Sequence, residues 1–193
     1  MGNQSLSASG VTFLKGHEGL NLKFYADPKG FPTVGYGHLI TKSKVYTPNT
    51  NLTQAEADAL SKSLGLSYTS PITQSQADTF LTKDTASAVA AVNNLVLPSG
   101  HKFSQSQFDA LVSLTFNAGS GVLATNDVKT MLANAHIYPT FIGPLTQDML
   151  DTCSKMVSKA FSYDRSLQPR RNDEATLFCT GMKYTHKYPV YTL

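Results

Sequence analysis

Glu18 and Asp27 stand nine positions apart, and Thr33 and His38 follow shortly after. Two carboxylates are the minimum equipment for cleaving a glycosidic bond. One must hold a proton for the leaving oxygen, and the other must be ionised to activate water or attack the sugar. A hydroxyl such as that of Thr33 could steer the water, and an imidazole such as that of His38 could serve as base, ligand or brace. Spacing alone does not make a site, because most acid pairs at this separation are solvated surface charges. Glu18, Asp27 and His38 could also approach a metal, but their spacing matches no zinc or calcium signature. Gly35-Tyr36-Gly37 lacks the third glycine and following helix of a dinucleotide cradle.

Local patterns indicate what must position these groups. Phe13, Leu14 and His17 recur at helical spacing after Ser9, a candidate N-cap, so Glu18 falls near a helix end and Gly19 stops the helix. Leu20, Leu22 and Phe24 then alternate with Asn21, Lys23 and Tyr25, which is strand periodicity. Asp27-Pro28-Lys29-Gly30 reads as a turn, and Phe31 to Gly37 as a returning second strand. Gly35 and Gly37 leave room for the close approach of another backbone or a ligand. Downstream, Thr53-x-x-Glu56, Thr73-x-x-Gln76 and Ser104-x-x-Gln107 are capping boxes that open helices, the first two over 54–64 and 74–94. In the third, Phe108, Leu111, Val112 and Thr115 are expected to share one buried face. Pro98-Ser99-Gly100 breaks the second helix, and Asn117 through Gly121 ends the third. A further helix is expected over 127–135 and another after Leu145-Thr146 to about Ala160, and Pro169 suits the first turn of a last one. The segment from Tyr138 to Pro144 reads as a loop.

The segment from Glu18 to His38 resembles the catalytic hairpin of phage-type lysozymes, the muramidases of glycoside hydrolase family 24. That pattern is Glu, eight residues, Asp, five residues, Thr, then Gly-x-Gly-His, and all its elements stand here. Ile72 to Ala77 resembles the start of that family's long interlobe helix. Gln107 to Leu114 with Phe116 to Gly119 resembles its central buried helix, and Arg170-Arg171 with Glu174-Ala175 and Leu177 to Gly181 its C-terminal helix. The similarity is weakest over 122–165.

The resemblance implies an α+β, mainly α, two-lobed lysozyme-like fold with a small N-terminal β-sheet, a long interlobe helix and a helical C-terminal lobe. The chain would be one catalytic domain, with an N-terminal lobe over about 10–72, the interlobe helix over about 73–94, a helical lobe over about 95–181 and a tail over 182–193. It further implies Glu18, Asp27 and Thr33 as catalytic residues, with Thr33 positioning water. His38 would be structural, paired with Asp84, and Arg170 would face Glu18. Leu39, Phe116 and Asn117 would line the cleft and contact sugar. Each has a plainer reading: Leu39 as core, Phe116 and Asn117 as a helix end, Arg170 as a surface cation, Thr33 as a β-former.

Composition fits this picture. Hydrophobic residues make up 41% of the 193-residue chain and charged residues only 15%, below the roughly 25% of a typical soluble domain. A net charge of +3 suits an anionic wall weakly and is far from a nucleic-acid signature. Neither a membrane-spanning run nor a signal peptide is recognisable, so stable membrane insertion is not expected. The expected partner is the peptidoglycan glycan strand, met by a monomer that uses no cofactor or metal. The protein would be made in the cytoplasm and act in the periplasm or wall after delivery. A holin lesion, a phage tail and a secretion machine all serve as routes, and an inhibitor protein is compatible. Cys153 and Cys179 fall on separate helices and read as buried thiols, with a bridge as the alternative. Tyr184, Tyr188 and Tyr191 would pack the tail onto the body. The function expected is hydrolysis of the bond between N-acetylmuramic acid and N-acetylglucosamine. A lytic transglycosylase using Glu18 alone, or an inactive wall-binding module, are the rivals.

Overall fold

The computed structural model describes residues 3–98, 101–141, 146–162 and 164–180. The tail tyrosines, the Ser99-Gly100 break and part of the expected loop before Thr146 lie outside the described residues. The fold is α+β and mainly helical. Two compact units emerge: one over Phe13–Ala86, the other formed by the residues up to Thr12 together with those from Ser87 onward. Two helices, α1 (Ala8–Glu18) and α3 (Gln74–Asn93), contribute residues to both.

The Phe13–Ala86 unit is built around a three-stranded antiparallel sheet, β1 (Asn21–Ala26), β2 (Pro32–Gly35) and β3 (His38–Leu39), in the order β1-β2-β3. The single returning strand expected over 31–37 is split, because the chain turns at Tyr36-Gly37 and His38 then pairs back on Val34. Phe24 and Ala26 of β1 are fully buried while Leu20 is exposed, so the apolar alternation only becomes a core face from Phe24 onward. Helix α2 (Gln54–Leu64) opens on the Thr53–Glu56 capping box. Helix α3 opens on a second one: the Thr73 N–H donates to Gln76 Oε1 at 2.8 Å, and Gln76 N–H donates to Thr73 Oγ1 at 3.2 Å. Each box satisfies orphan donors of a first turn from within four residues, which is why sequence revealed them.

In the other unit α4 (Gln105–Ala118), opened by the Ser104–Gln107 box, is surrounded on all sides. Its residues Gln107 to Thr115 are all buried, rather than only the stripe of Phe108, Leu111, Val112 and Thr115. Packed into the same apolar core are residues of α5 (Asn126–Ala133), α6 (Gln147–Ala160) and α7 (Gln168–Cys179). Cys153 and Cys179 are buried there as free thiols. The start of α1 also differs from expectation. Ser9 lies inside the helix, and the cap is Ser7, whose Oγ accepts the Gly10 N–H at 3.0 Å. Ser7 is selected because buried Asp109 of α4 accepts its backbone N–H at 3.1 Å, a contact across about a hundred residues that no local pattern reveals.

Candidate active site

Glu18 is the last residue of α1 and is half-buried, placed there because Gly19 turns the chain at once into β1. Asp27 opens the β1–β2 turn. Its Oδ1 accepts two backbone N–H groups, from Lys29 and Phe31, each at 2.8 Å, while Gly30 N–H closes the turn on Asp27 O at 2.8 Å. Gly30 has a φ of +84°, and a Cβ there would stand 2.6 Å from Tyr46 O, so this turn admits no side chain at that position. Asp27 is thereby fixed through one oxygen, and Oδ2 has no partner among the described residues.

Thr33 lies on β2 directly opposite Tyr25 of β1 and is only 4% exposed. Its hydroxyl donates to Phe31 O at 3.0 Å, so the lone pairs of Oγ1 are the part left for a ligand. Tyr25, Asp27, Thr33, Gly37 and Leu39 line one pocket of about 510 Å³, with Lys29 and Lys42 contributing cationic side chains. Leu39, 37% exposed, faces this pocket rather than the core. The Tyr25 hydroxyl is pushed above its ordinary pKa, first by burial and then by the negative charges of Asp27 and Glu18. Both carboxylates therefore act on one phenol at the pocket wall. Sequence reading passed over Tyr25. The available signal was strand parity, since Tyr25 and Asp27 fall two apart.

His38 and Asp84 are brought together: His38 Nδ1 lies 2.9 Å from Asp84 Oδ2, and the ring stacks on Phe80 at 4.3 Å between centroids. Nearby, Gly35 has a φ of +69° and a Cβ on it would meet Ala77 Cβ of α3 at 3.3 Å. Of the two approaches left open for Gly35, it is the close pass of α3 that is seen, while Gly37 belongs to the pocket.

The remaining sequence-selected residues belong to the helical unit. Phe116 is half-buried against the core, and Asn117 is exposed at the end of α4. Arg170 is buried, and its Nε donates to Glu174 Oε1 at 3.1 Å. Ser113 Oγ donates to the same oxygen at 2.6 Å, and Arg171 Nη1 lies 3.1 Å from Glu174 Oε2. Burial pushes the Glu174 carboxyl upward, opposed by Arg171, Ser113 and Arg170. Arg171 Nη2 also donates to Asn117 Oδ1 at 2.9 Å. Sequence reading assigned Arg171, Glu174 and Ser113 no role. Their pairing joins α4 to α7 across more than fifty residues.

A helix-end glutamate, a turn-anchored aspartate and a partly committed threonine thus stand on or beside a small sheet within a mainly helical fold, the arrangement that the resemblance of the Glu18–His38 segment implies. The comparisons agree. The family model described as phage lysozyme matches residues 15–147. The endolysin of Salmonella phage P22 is 32% identical over 127 residues, covering 66% of this chain and 72% of that protein. The endolysin of Acyrthosiphon pisum secondary endosymbiont phage 1 is likewise 32% identical, over 66% of this chain and 68% of that one. Among solved structures, the endolysin from Escherichia coli O157:H7 phage FAHEc1 superposes with a TM-score of 0.60 at 25% identity, over 95% of this chain and 98% of that one. The chain belongs to the phage lysozyme family and is a glycoside hydrolase.

Proposed function

We propose that this lysozyme hydrolyses the β-1,4 bond between N-acetylmuramic acid and N-acetylglucosamine by a single displacement with inversion. Glu18 gives a proton to the leaving oxygen, while Asp27 and Thr33 hold the attacking water on the opposite face of the sugar. One observation carries the reading. Two backbone N–H groups occupy Asp27 Oδ1, and Thr33 Oγ1 spends its proton on Phe31 O. Both Asp27 Oδ2 and Thr33 Oγ1 are thus left as acceptors beside one pocket. Water donating one proton to each would turn a lone pair toward the anomeric carbon. A nucleophilic Asp27 would have no need of a second acceptor.

Leu39, Phe116 and Asn117 contact the glycan in this reading, and His38, Asp84 and Arg170 support the catalytic groups without taking part in proton transfer. The enzyme works as a monomer on wall peptidoglycan after delivery from the cytoplasm. Proton NMR during digestion of purified peptidoglycan tests the mechanism, with the α-anomer expected first. Early β-product would make Asp27 a nucleophile at the roughly 5–5.5 Å separation of retaining pairs, instead of the roughly 6.5–9.5 Å of inverting ones. Mass spectrometry of the same digest should find reducing muramic ends. Anhydro ends would mean a transglycosylase, and an uncut glycan an inactive module.

A further inference from the structure

We propose that Lys29 and Lys42 are specificity residues that bind a carboxylate carried by the glycan, so that the pocket beside Asp27 selects an anionic saccharide over a neutral one. The inference deepens the proposed function and rests on it. Every residue of this pocket lies in the Phe13–Ala86 unit. Lys29 and Lys42 line the pocket together with Asp27 and Thr33, so its lining carries two cations against one carboxylate. The proposed reaction keeps that carboxylate for water. Elsewhere the ammonium groups of Lys15 and Lys159 are met by Asp78 and Asp127, at 2.8 and 3.3 Å. Lys29 and Lys42 are exposed, and neither meets a carboxylate at ion-pair distance among the described residues. Their backbones are nevertheless fixed. The Lys29 N–H donates to Asp27 Oδ1 at 2.8 Å, so the bond that sets the aspartate also places the lysine. Lys42 sits in a turn that the Ser43 N–H closes on Thr41 Oγ1 at 3.1 Å, just beyond β3. Pro28, Phe31 and Leu39 give the same lining an apolar surface. Apolar walls with cationic tips suit a substituent that has an alkyl body and an anionic end. Muramic acid differs from N-acetylglucosamine by such a group, a lactyl ether with a methyl and a carboxyl. Where that carboxyl is joined in an amide to the stem peptide, the peptide supplies carboxylates instead. An ammonium on a flexible four-carbon stem acts as a point charge and can reach either source.

Lys29→Gln combined with Lys42→Gln removes both charges and leaves the side chains long and polar. KM on peptidoglycan is expected to rise about threefold or more, since one exposed ion pair accounts for a factor of up to about five, while kcat changes by less than about twofold. The melting temperature should not move, because both side chains are exposed. Lys62→Gln combined with Lys83→Gln lowers the net charge equally, at two exposed positions of the same unit that do not line the pocket, and should leave KM unchanged. An equal rise in that control pair would mean that net charge alone draws the protein to the wall, and would overturn the proposal. Lys29→Arg with Lys42→Arg keeps the charge and should hold KM near the wild-type value. A rise there as large as in K29Q/K42Q would likewise overturn it. Running K29Q/K42Q on peptide-free glycan, which bears free lactyl carboxylates, and on stem-bearing glycan assigns the source. A rise on the peptide-free strand alone points to the lactyl group, and a rise on the stem-bearing strand alone points to the peptide. A rise on both shows that the pocket takes either carboxylate. An unchanged KM on both substrates overturns the proposal. A wild-type protein that releases no reducing muramic ends would instead overturn the proposed function beneath it.

Discussion

At the scale of single residues, the β1–β2 turn commits one oxygen of the Asp27 side chain and leaves the other for the role proposed above. Asp27 Oδ1 holds the turn through two backbone N–H groups, Oδ2 has no partner among the described residues, and the residue lines the pocket. Asp27→Asn retains an oxygen acceptor for both N–H groups. It should unfold within about 0.5 kcal/mol of the wild type, yet clear cell walls at least a hundredfold more slowly. Asp27→Ala should lose the same activity and also about 1–2 kcal/mol of stability, since the turn donors lose their acceptor. Urea melts beside a turbidity assay on both variants would read the two effects separately. Glu18→Gln keeps the shape at the end of α1 but has no proton to transfer. It should abolish lysis with stability equal or higher, because catalytic carboxylates are commonly held at a cost to the fold.

At the scale of elements, the sheet that carries Asp27 and Thr33 is fastened to α3 along one side. Gly35 passes Ala77, His38 pairs with Asp84, and Gln74 Nε2 donates to Tyr36 Oη at 2.6 Å. Gly35→Ala combines a left-handed backbone with a tight Cβ contact, so it should cost more than the roughly 1–2 kcal/mol of the conformation alone. Chemical denaturation would show this as a lower midpoint at unchanged slope. Helix α1 is tied to α3 by Lys15 and Asp78, 2.8 Å apart. The Lys15 ammonium, with help from Gln74 and Tyr36, holds the Asp78 carboxyl below its usual range. A depressed folded pKa gives stability above the unfolded value, near 3.9, that fades as pH falls through the lower folded value. Asp78→Asn should therefore lower the melting temperature slightly at pH 6 and progressively less toward pH 3. The pair is solvent-screened, at 29% and 41% exposure, which keeps the effect below about 1 kcal/mol. An equal loss at both pH values would show that the bridge contributes nothing.

At the scale of the whole molecule, the two compact units are stabilised differently. The helical one encloses α4 and buries Arg170, Arg171, Glu174 and Ser113 beside its apolar core. Glu174→Ala would strand two guanidinium groups without their shared anion. It should cost about 3–5 kcal/mol or prevent folding, visible in circular dichroism. The molecule's charge bears on delivery. A net charge of +3 is too small to drive disruption of an anionic surface, and no described helix is long and apolar enough to cross a membrane. Added from outside, the protein should leave intact Gram-negative cells unharmed and clear cells whose outer membrane has been permeabilised. Rapid clearing of untreated cells by a Glu18→Gln variant would refute this.

What the sequence determined by itself is local. The Asp27 turn and the boxes at Thr53, Thr73 and Ser104 are each completed by partners within four residues, so their chemistry is written in consecutive letters. The spacing from Glu18 to His38 was legible for the same reason, and with it the family. What tertiary structure alone decided depends on contacts between distant segments. Ser7 rather than Ser9 caps α1 because Asp109 reaches it. Helix α4 is buried on every side because other helices surround it, which its own periodicity does not encode. Leu39 lies in the pocket instead of the core because the chain turns at Tyr36-Gly37 into a third strand. The Asn117 amide accepts a hydrogen bond from an arginine more than fifty residues away. Periodicity and capping report what a residue asks of its neighbours in the chain, while a site is finished by groups that only folding brings within hydrogen-bond reach.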